Sequence, residues 1–383
     1  MLYLICGAGL TGCVLAEQLA RNKSNRILLV DRKKHIGGTC YDEFNNDGIL
    51  IQKYGPHIFN TASEEVWNYV NKFTDFIEYY HRVRGYVDGT LVPIPFNLVS
   101  IKKLFPSVFA ARITEKLINK YGYNTKVPIL DIGNQNDPDL KFLADFVYEK
   151  VFLHYTEKQW GQTPNQIGSR AMARIPVFIS TDDRYFQNRF QGIPKYGYTR
   201  MMQNMLSAEN ISVLLGVDIM QMMKLDNNTG KILINGDKFD GKVIYTGCLD
   251  ELFDYRFGKL PYRTLTFEFE TLPQESFQEV ATINYPNNYQ FTRITEYKKL
   301  TMQTHPFTTI MREYPGSYES TDPHHDPLYP IPTQENEALY QKYQDMLKNF
   351  SDIIPAGRLG NYRYLTMAET IENALKIFKQ IHD

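Results

Sequence analysis

The first thirty residues hold two short apolar runs separated by a stretch with helical periodicity. Leu2–Cys6 and Arg26–Val30 have the length and composition of buried strands, and the second run ends at Asp31. Between them, apolar residues recur at helical spacing from about Leu10 to Arg21. This order predicts two parallel strands joined by a crossover helix, the first unit of a Rossmann-like α/β fold.

The rest of the chain shows further helical and strand periods. Helical spacing begins after Ser63 and returns over residues 100–121 and 139–155, whereas Thr264–Glu270 alternates strictly between apolar and polar positions. Two later segments also predict strands, residues 289–297 and 307–313. We therefore expect an α/β protein in which a Rossmann-like domain carries an inserted helical domain and an antiparallel β-sheet domain.

Composition excludes several classes of protein. The chain of 383 residues is long enough for two or three domains. Its net charge of −1 argues against a nucleic-acid-binding protein, which needs a basic excess. The cysteines form no CxxC pair, so we expect no disulfide framework, no metal site and a reduced, cytoplasmic location. No apolar run approaches the ~18 residues of a membrane span, so we expect no span.

A glycine-rich turn, Gly7-Ala8-Gly9-Leu10-Thr11-Gly12, joins the first strand to the first helix. In such a turn the first glycine permits the tight bend, the second lets the backbone approach a pyrophosphate, and the third lets helix and strand pack closely. Asp31 lies 19 residues beyond Gly12, where a carboxylate would bind the ribose of a dinucleotide. The strand–turn–helix context favours dinucleotide binding over an accidental glycine-rich turn.

The residues after Asp31 favour FAD over NAD. A basic stretch, Arg32-Lys33-Lys34-His35, is followed by Gly37-Gly38, which resembles the FAD-binding pattern of glutathione-reductase-like flavoproteins. We therefore expect three parts of an FAD-binding domain at residues 1–80, 191–255 and 321–383. A mainly helical domain would occupy residues 81–190, and an antiparallel sheet domain would occupy residues 256–320.

Aromatic and arginine side chains concentrate between residues 152 and 189. Arginines with tyrosine hydroxyls are suited to bind a diphosphate, and aromatic rings are suited to stack on a base. On composition alone, an amphipathic helix with a solvated basic face is the stronger interpretation. Arg293 lies in a predicted strand, on the face of Phe291 and Tyr297. Its anionic partner would be a carboxylate, such as Glu268 or Glu296, or a ligand phosphate.

Taken together, the motifs resemble those of the bacterial UDP-galactopyranose mutases over nearly the whole chain. Matching segments keep their order, including GAGLTG at 7–12, HIGG at 35–38, KYGPHIFNT at 53–61, YTEKQWG at 155–161, RYFQNRFQGIPKYGYT at 184–199, TRITEYK at 292–298 and GRLGNYRYL at 357–365. The resemblance implies an enzyme that interconverts the pyranose and furanose forms of a nucleotide sugar without net redox change. UDP-galactopyranose is the first candidate, for the synthesis of cell-surface polysaccharide.

The family's mechanism requires FAD that an external reductant reduces and that turnover does not consume. The resemblance implies that N5 of the reduced flavin attacks the anomeric carbon and displaces UDP, after which the sugar ring opens and recloses through another hydroxyl. It also implies a homodimer, and a lid carrying Arg174 that closes over the substrate.

The resemblance assigns roles to particular residues of this sequence. Arg174, Arg293 and His57 are the implied catalytic residues, although a lone histidine such as His57 is more often structural. The implied substrate-binding residues are Phe152, Tyr155, Thr156, Trp160, Arg174, Tyr185, Arg293, Tyr314 and Tyr364. The implied cofactor-binding residues are Gly7, Gly9, Leu10, Thr11, Gly12, Asp31, Arg32, Gly38, Thr39, His57, Ile58, Asp218, Thr246, Gly247, Arg358, Tyr364, Leu365 and Met367.

At some positions the sequence departs from the family's usual residues, namely Asn60, Val151, Tyr297, Leu328 and Thr366. Loss of a carboxylate at Thr366 would suit a 6-deoxy sugar, which needs fewer polar partners. The departures leave open the same reaction on dTDP-fucopyranose, UDP-N-acetylgalactosamine or a GDP-heptose. From other classes, the alternatives are an FAD-dependent amine oxidase-like enzyme and a non-catalytic protein that binds FAD or a nucleotide sugar.

Overall fold

A parallel sheet forms the centre of the Rossmann-like part of the protein. The computed structural model describes residues 1–161, 176–322 and 325–382. Among these residues the predicted strand–helix–strand unit is confirmed, with its helix at Leu10–Ala20. Five described strands lie parallel to one another in the order Ile211–Leu215, Arg26–Asp31, Leu2–Cys6, Lys242–Tyr245 and Ile353–Pro355. The chain must therefore leave this sheet and return to it, because parallel strands need crossover connections.

Helices cover both faces of the parallel sheet. Ile5 points to one face, where the Leu10–Ala20 and Met367–His382 helices bury their apolar sides against it. Leu4, the preceding residue, points to the other face and joins the apolar side of the Gln334–Leu347 helix. Since successive side chains of a strand face opposite ways, burial on both faces explains why these strands are apolar throughout.

A second large sheet carries most of the antiparallel strands. Its described strands follow the order Tyr329–Pro330, Tyr262–Leu272, Thr308–Ser317, Arg293–Glu296, Thr282–Asn284, Val83–Val87 and Thr90–Ile94. All neighbours are antiparallel except Thr282–Asn284 and Val83–Val87. The alternation of residues 264–270 thus predicted its strand correctly. The sheet draws strands from three of the predicted segments, 81–190, 256–320 and 321–383, and the division of the chain into domains stays a prediction.

The prediction of a single strand over residues 289–297 was wrong. The strand covers Arg293–Glu296 only, and a short helix begins at Tyr297. The Tyr297 side chain is fully buried, and its hydroxyl donates a hydrogen bond of 2.6 Å to the carbonyl of Gln52. Its ring stacks on that of Phe269. Tyr297 therefore does not share a strand face with Arg293, because packing against distant parts of the chain sets its position.

The helical region is more broken than its periodicity suggested. A continuous helix was expected over residues 100–121, but Phe105 is extended (φ −116°, ψ 153°) because Pro106 restricts the residue before it. The segments here are the helices Leu98–Leu104, Ser107–Tyr121, Ile129–Gly133 and Pro138–Val147, the π-helical turn Tyr148–Leu153 and the helix His154–Trp160. Their apolar sides share one buried cluster.

Shorter elements complete the described structure. The helix after Ser63 is confirmed, and the Ser63 side chain accepts a hydrogen bond from the amide of Val66. The remaining helices are Glu64–Val70, Gly197–Met205, Leu249–Leu252, Tyr297–Thr301 and Gly357–Gly360. The remaining strands are Asp42–Phe44, Leu50–Gln52, Phe59–Thr61, Phe76–Glu78, Thr125–Pro128, Pro176–Ile179, Phe190–Pro194, Met223–Asp226, Lys231–Ile234 and Asp237–Lys238. None of the described helices has the length and apolar composition needed to cross a membrane.

We expect Gly12→Ala to destabilise the protein, because helix and strand touch at this position. A Cβ on Gly12 would lie 2.0 Å from the carbonyl oxygen of Gly7. Relieving that overlap should lower the free energy of unfolding by about 1–3 kcal/mol, measured by urea denaturation. Gly9→Ala is the matched control, since the nearest atom to a Cβ on Gly9 is 3.7 Å away. Equal stability of the two variants would contradict this account.

A buried histidine, His81, lies just before the Val83–Val87 strand. Its side chain is only 4% exposed and packs against the rings of Tyr185 and Phe186. The Tyr79 hydroxyl is 3.3 Å from Nδ1 of His81. Burial, with a smaller contribution from the charge of Arg293, lowers the pKa of His81 to about 3. His81 is therefore neutral in the folded protein and protonates more readily in the unfolded chain.

This neutral histidine makes stability depend on acidity. Its stabilising effect is complete above the unfolded pKa of 6.5 and is lost progressively as the pH falls towards 3. Between pH 6.5 and 4.5 we expect His81 to account for a loss of about 2–3 kcal/mol of unfolding free energy. His81→Gln should remove that part of the pH dependence, whereas His154→Gln, at a half-exposed position, should retain it. An unchanged pH dependence in His81→Gln would rule the effect out.

Candidate functional site

A cleft runs along the carboxyl ends of the parallel strands, where ligands bind in open α/β sheets. We call it the strand-end cleft. Its walls are the loops that follow the strands Leu2–Cys6, Arg26–Asp31, Lys242–Tyr245 and Ile353–Pro355. It brings together most of the predicted cofactor-binding residues, namely Gly7, Gly9, Leu10, Thr11, Asp31, Arg32, Gly38, Thr39, His57, Asp218, Thr246, Gly247, Arg358 and Met367.

Four predicted cofactor residues lie elsewhere in the described structure. Gly12 is inside the first helix, and Ile58 is buried in a separate apolar cluster. Leu365 contributes only its carbonyl oxygen, which accepts a hydrogen bond of 3.0 Å from Nη2 of Arg358. Tyr364 is 49% exposed, and its ring stacks on a neighbouring tyrosine. Leu365 and Tyr364 are next to the cleft, because both contact Arg358, which lines it.

Bare backbone forms part of the cleft wall. Gly38 has φ +54°, and a Cβ there would lie 2.9 Å from Cα of Gly9. Gly357 has φ +76°, and a Cβ there would lie 2.8 Å from Oγ1 of Thr11. Glycine is therefore favoured at both positions, and the backbone amides at the start of the first helix stay accessible to an anion. The arrangement fits the pyrophosphate of a dinucleotide.

The carboxylate of Asp31 is held in a fixed orientation at the end of its strand. Its Oδ2 accepts a hydrogen bond of 2.7 Å from the amide of Ala8, and its Oδ1 accepts one of 2.8 Å from the amide of Lys33. Each carboxylate oxygen can accept a second hydrogen bond. Asp31 lines the cleft with an oriented carboxylate, and its role at a ribose stays a prediction.

Sequence reasoning missed the segment from Asp326 to Leu328, which also lines the strand-end cleft. Nζ of Lys33 lies 2.7 Å from Oδ2 of Asp326, and Nη1 of Arg358 donates a hydrogen bond of 3.0 Å to the carbonyl of Leu328. The segment is almost three hundred residues away from Lys33 along the chain. No local pattern in the sequence could have indicated this contact.

Arg293 and Glu313 form an ion pair at the other end of the site. They are opposite each other on neighbouring strands, and Nε of Arg293 lies 3.2 Å from Oε1 of Glu313. Glu313 is buried, and Oε1 also accepts a hydrogen bond from the hydroxyl of Thr292. The partner of Arg293 is therefore neither Glu268 nor Glu296, because strand register places Glu313 opposite it.

Tyrosine hydroxyls surround the Arg293 guanidinium. Nη2 of Arg293 donates a hydrogen bond of 2.9 Å to the hydroxyl of Tyr155, and its charge also interacts with Tyr185 and Tyr329. Burial raises the pKa of Tyr155 and of Tyr329 to about 12, and it raises the pKa of Tyr185 as well. All three hydroxyls thus stay neutral and can donate hydrogen bonds to an anion. We call Arg293 with these three tyrosines the arginine–tyrosine cluster.

Tyr329 takes the place that the sequence analysis gave to Tyr314. The Tyr314 hydroxyl donates to Oε2 of Glu268 at 2.8 Å, and Tyr314 follows Glu313 directly, so its side chain points to the opposite face of the sheet. The Tyr329 ring stacks on Tyr364 and lies under the guanidinium of Arg358. The sequence did single out the Leu328-Tyr329 pair, but only as a departure from the family pattern.

His57 lies between the strand-end cleft and the arginine–tyrosine cluster. It lines the cleft, and its Nδ1 lies 2.9 Å from the carbonyl oxygen of Gly55. Burial is the main cause that lowers the pKa of His57 to about 4, and the charges of Arg358 and Arg293 act in the same direction. His57 is therefore neutral near pH 7. Its Nδ1 then carries the proton, because that nitrogen must donate to the Gly55 carbonyl.

Three further predicted substrate residues lie in the segment 148–160. Phe152, Thr156 and Trp160 are half-buried, and they belong to the π-helical turn and the helix that also hold Tyr155. Arg174 lies outside the described residues. The structure therefore brings Tyr155, Tyr185 and Arg293 together and leaves the position of Arg174 as a prediction.

Two departures from the family pattern have hydrogen-bond partners within the fold. Asn60 accepts a hydrogen bond of 2.7 Å from the side chain of Asn188. Thr366 directly precedes the last helix, where its amide donates to the carboxylate of Glu369 and its hydroxyl accepts from the amide of Glu369. Reciprocal bonds of this kind cap a helix N-terminus. Both residues are thus accounted for without a ligand.

The other departures are packed into apolar surroundings. Val151 and Tyr297 are buried in separate apolar clusters, and Leu328 is buried beside the strand-end cleft. Among the departures, Leu328 is the one that borders a described cavity. The departures therefore carry little information about the sugar.

Comparisons with known proteins agree with this geometry. Residues 150–364 match the UDP-galactopyranose mutase family, and residues 5–73 match the NAD(P)-binding Rossmann-like domain. The chain is 36% identical over 376 residues to a probable UDP-galactopyranose mutase of Klebsiella pneumoniae, which covers 97% of this chain and 92% of the relative. It is also 35% identical over 376 residues to a dTDP-fucopyranose mutase of Escherichia coli. That alignment covers 97% of this chain and 96% of the relative.

The fold agrees with a solved structure as well. A crystal structure of reduced UDP-galactopyranose mutase superposes with a TM-score of 0.70 at 16% identity, over 99% of this chain and 95% of that chain. This likeness concerns the fold, whereas the identities above concern the whole length of the sequence. The protein is thus an enzyme of the isomerase class, and it belongs to the UDP-galactopyranose mutase family.

Proposed function

We propose that this protein is an FAD-dependent mutase that interconverts UDP-galactopyranose and UDP-galactofuranose. The observation that carries the proposal is the arginine–tyrosine cluster, which offers one cation and three neutral hydroxyl donors beside a dinucleotide cleft. Such a set of donors suits a diphosphate, because charge-assisted hydrogen bonds to phosphate oxygens are strong and directional. We infer the same role for Arg174 from the family resemblance.

FAD is the dinucleotide that fits the strand-end cleft best. The wall of bare backbone at Gly9 and Gly38, the oriented carboxylate of Asp31 and Arg358 at the far end support this choice. When bound and reduced, FAD would supply a nucleophilic nitrogen for the anomeric carbon of the sugar. An external reductant would be needed, since turnover returns the cofactor unchanged.

The residues of the arginine–tyrosine cluster would act on the leaving diphosphate. Negative charge develops on the phosphate oxygen when its bond to the sugar breaks. Arg293 is already oriented by Glu313 and Tyr155, so little reorganisation is needed to stabilise that charge. The hydroxyls of Tyr185 and Tyr329 would hold the diphosphate near the sugar, so that it can return after the ring recloses.

Neutral His57 suits a position beside a sugar and a flavin. A charged imidazolium there would compete with Arg293 for the diphosphate, and the low pKa of His57 prevents this near pH 7. We propose that His57 contributes a neutral, fixed surface between cofactor and substrate. The hydrogen bond of its Nδ1 to the carbonyl of Gly55 keeps the ring in one orientation.

The identity of the sugar rests on a weaker argument than the type of reaction. One relative is named for UDP-galactopyranose and another for dTDP-fucopyranose, at nearly equal identity to this chain. The departures at Asn60 and Thr366 have partners within the fold, so they do not favour a 6-deoxy sugar. We therefore keep galactose as the proposed sugar and dTDP-fucose as the alternative to be tested beside it.

The first prediction concerns the reaction itself. UDP-galactofuranose incubated with the pure protein should yield UDP-galactopyranose only after reduction with dithionite, measured by chromatography. dTDP-fucofuranose should be tested in the same way. Conversion of the fucose compound alone would replace galactose by fucose in the proposal. A protein that carries no flavin, or one that converts neither compound after reduction, would contradict it.

The second prediction concerns Arg293. Arg293→Ala should lower kcat/KM on the order of 10²–10³-fold, because a preorganised donor to the leaving diphosphate is lost. The variant should keep its yellow colour, since Arg293 is outside the strand-end cleft. Arg312→Ala is the matched control, because Arg312 is on the adjacent strand and pairs with Glu270 at 2.8 Å. Full activity of Arg293→Ala would rule out its role at the diphosphate.

A further inference from the structure

Arg293 belongs to a β-hairpin with a long turn. The strands Thr282–Asn284 and Arg293–Glu296 pair antiparallel, with Asn284 opposite Arg293. Residues 285–292 connect them, and we call this segment the hairpin turn. Arg293 is therefore the first strand residue after the hairpin turn, so its position depends on how firmly the turn is held.

Lys158 holds the hairpin turn through a single ammonium group. Its Nζ donates hydrogen bonds of 2.5, 3.1 and 3.2 Å to three backbone carbonyls, those of Tyr285, Tyr289 and Phe291. An ammonium group has three protons to donate, so the turn uses its full capacity. Burial lowers the pKa of Lys158 to about 8, because the charged ammonium group has lost part of its contact with water. These carbonyls take the place of the lost water contacts.

The same helix also holds Arg293 directly. Lys158 and Tyr155 are three residues apart in the His154–Trp160 helix and therefore lie on one face of it. Tyr155 contacts the Arg293 guanidinium, while Lys158 contacts the hairpin turn just before Arg293. The helix thus contacts both the hairpin turn and the strand residue that follows it.

A second tie joins the same two parts of the chain. The side-chain amide of Asn287, in the hairpin turn, donates a hydrogen bond of 2.8 Å to the carbonyl of Lys150. Lys150 lies in the π-helical turn that leads into the His154–Trp160 helix. Two side chains therefore join the hairpin turn to residues 148–160, and Lys158 makes most of these contacts.

We propose that Lys158 is a positioning residue, which sets the relative position of Tyr155 and Arg293 for binding of a nucleotide diphosphate. The proposal rests on the proposed function, since it takes Arg293 and Tyr155 as ligands of the diphosphate. Among the residues that the structure describes, the Lys158 ammonium group is hydrogen-bonded to backbone carbonyls and not to Arg293 or Tyr155. Its effect on the ligand is therefore indirect, through the place at which the hairpin turn holds Arg293. A small displacement of groups that bind a ligand together can cause a large loss of affinity for that ligand.

A merely structural role would give a different result. If Lys158 only stabilised the hairpin, its loss would lower the melting temperature and leave the affinity of the folded protein for nucleotide unchanged. If it positions Arg293 against Tyr155, its loss should weaken nucleotide binding. It should also have little further effect once the Tyr155 hydroxyl has been removed.

The test measures the affinity of the full chain, loaded with FAD, for UDP and for dTDP by isothermal titration calorimetry. Lys158→Met and Tyr155→Phe should each weaken binding of the preferred nucleotide about tenfold. The double variant should bind about as weakly as the weaker single variant. KM for the nucleotide sugar should rise with the dissociation constant, while kcat changes less. Lys150→Met is the matched control, because the contacts of Lys150 Nζ within the described part of the chain are long, 3.6 Å to Asp88 and 3.8 Å to Glu149.

The outcomes separate this proposal from the one on which it rests. If the wild type binds nucleotide and Lys158→Met binds it equally well, the role of Lys158 is overturned and the proposed function stands. Full additivity of the two substitutions would overturn it too. If Lys158→Met does not fold, Lys158→Gln serves instead, and wild-type affinity in that variant overturns the role. If the wild type binds neither nucleotide, the proposed function itself falls.

Discussion

The substrate end of the site depends on the ion pair between Arg293 and Glu313. A guanidinium that is largely surrounded by protein is costly unless a carboxylate and hydrogen bonds compensate it. Glu313 supplies the carboxylate from the neighbouring strand. Thr292 donates a hydrogen bond to Glu313, and Arg293 donates one to the hydroxyl of Tyr155. Pairing fixes the direction in which the guanidinium points. The described tyrosines near Arg293, which are Tyr155, Tyr185 and Tyr329, keep neutral hydroxyls. Such a set would suit the anionic ligand proposed above.

The two parts of the site meet because one chain segment borders both. The residues from Asp326 to Leu328 line the strand-end cleft, and Tyr329, the next residue, belongs to the arginine–tyrosine cluster. Arg358 contacts both parts, through the carbonyl of Leu328 and the ring of Tyr329. A cofactor in the cleft and a diphosphate at Arg293 would therefore be neighbours. This proximity is what a reaction between a flavin and an activated sugar requires.

Departures from a family pattern are weak guides to specificity when the structure supplies another reason for them. Tyr297 fills an apolar cluster and bonds to the backbone of Gln52, and Thr366 caps a helix together with Glu369. Packing and backbone hydrogen bonding account for these two residues. The proposed reaction instead rests on Arg293, whose guanidinium contacts Tyr155 and the buried Glu313.

Local patterns in the chain were enough to predict the first elements and the chemistry of the glycine-rich turn. The Leu2–Cys6 strand, the Leu10–Ala20 helix and the spacing of Gly7, Gly12 and Asp31 follow from periodicity and from steric limits that act within a few residues. The family motifs added further residues that line the strand-end cleft, among them Thr246, Gly247 and Arg358. In these cases the physical cause is local, so the pattern could be recognised without the fold.

The contacts between distant residues follow from the folded arrangement of the strands. Strand register chose Glu313 over Glu268 and Glu296 as the partner of Arg293, and the pleat of the same strand turned Tyr314 to the opposite face. Packing moved Tyr297 out of the predicted strand, and a crossover connection brought Tyr329 to Arg293. These outcomes depend on pairing between segments far apart in the chain. A one-residue change of register would reverse them, and periodicity within a single segment does not specify that register.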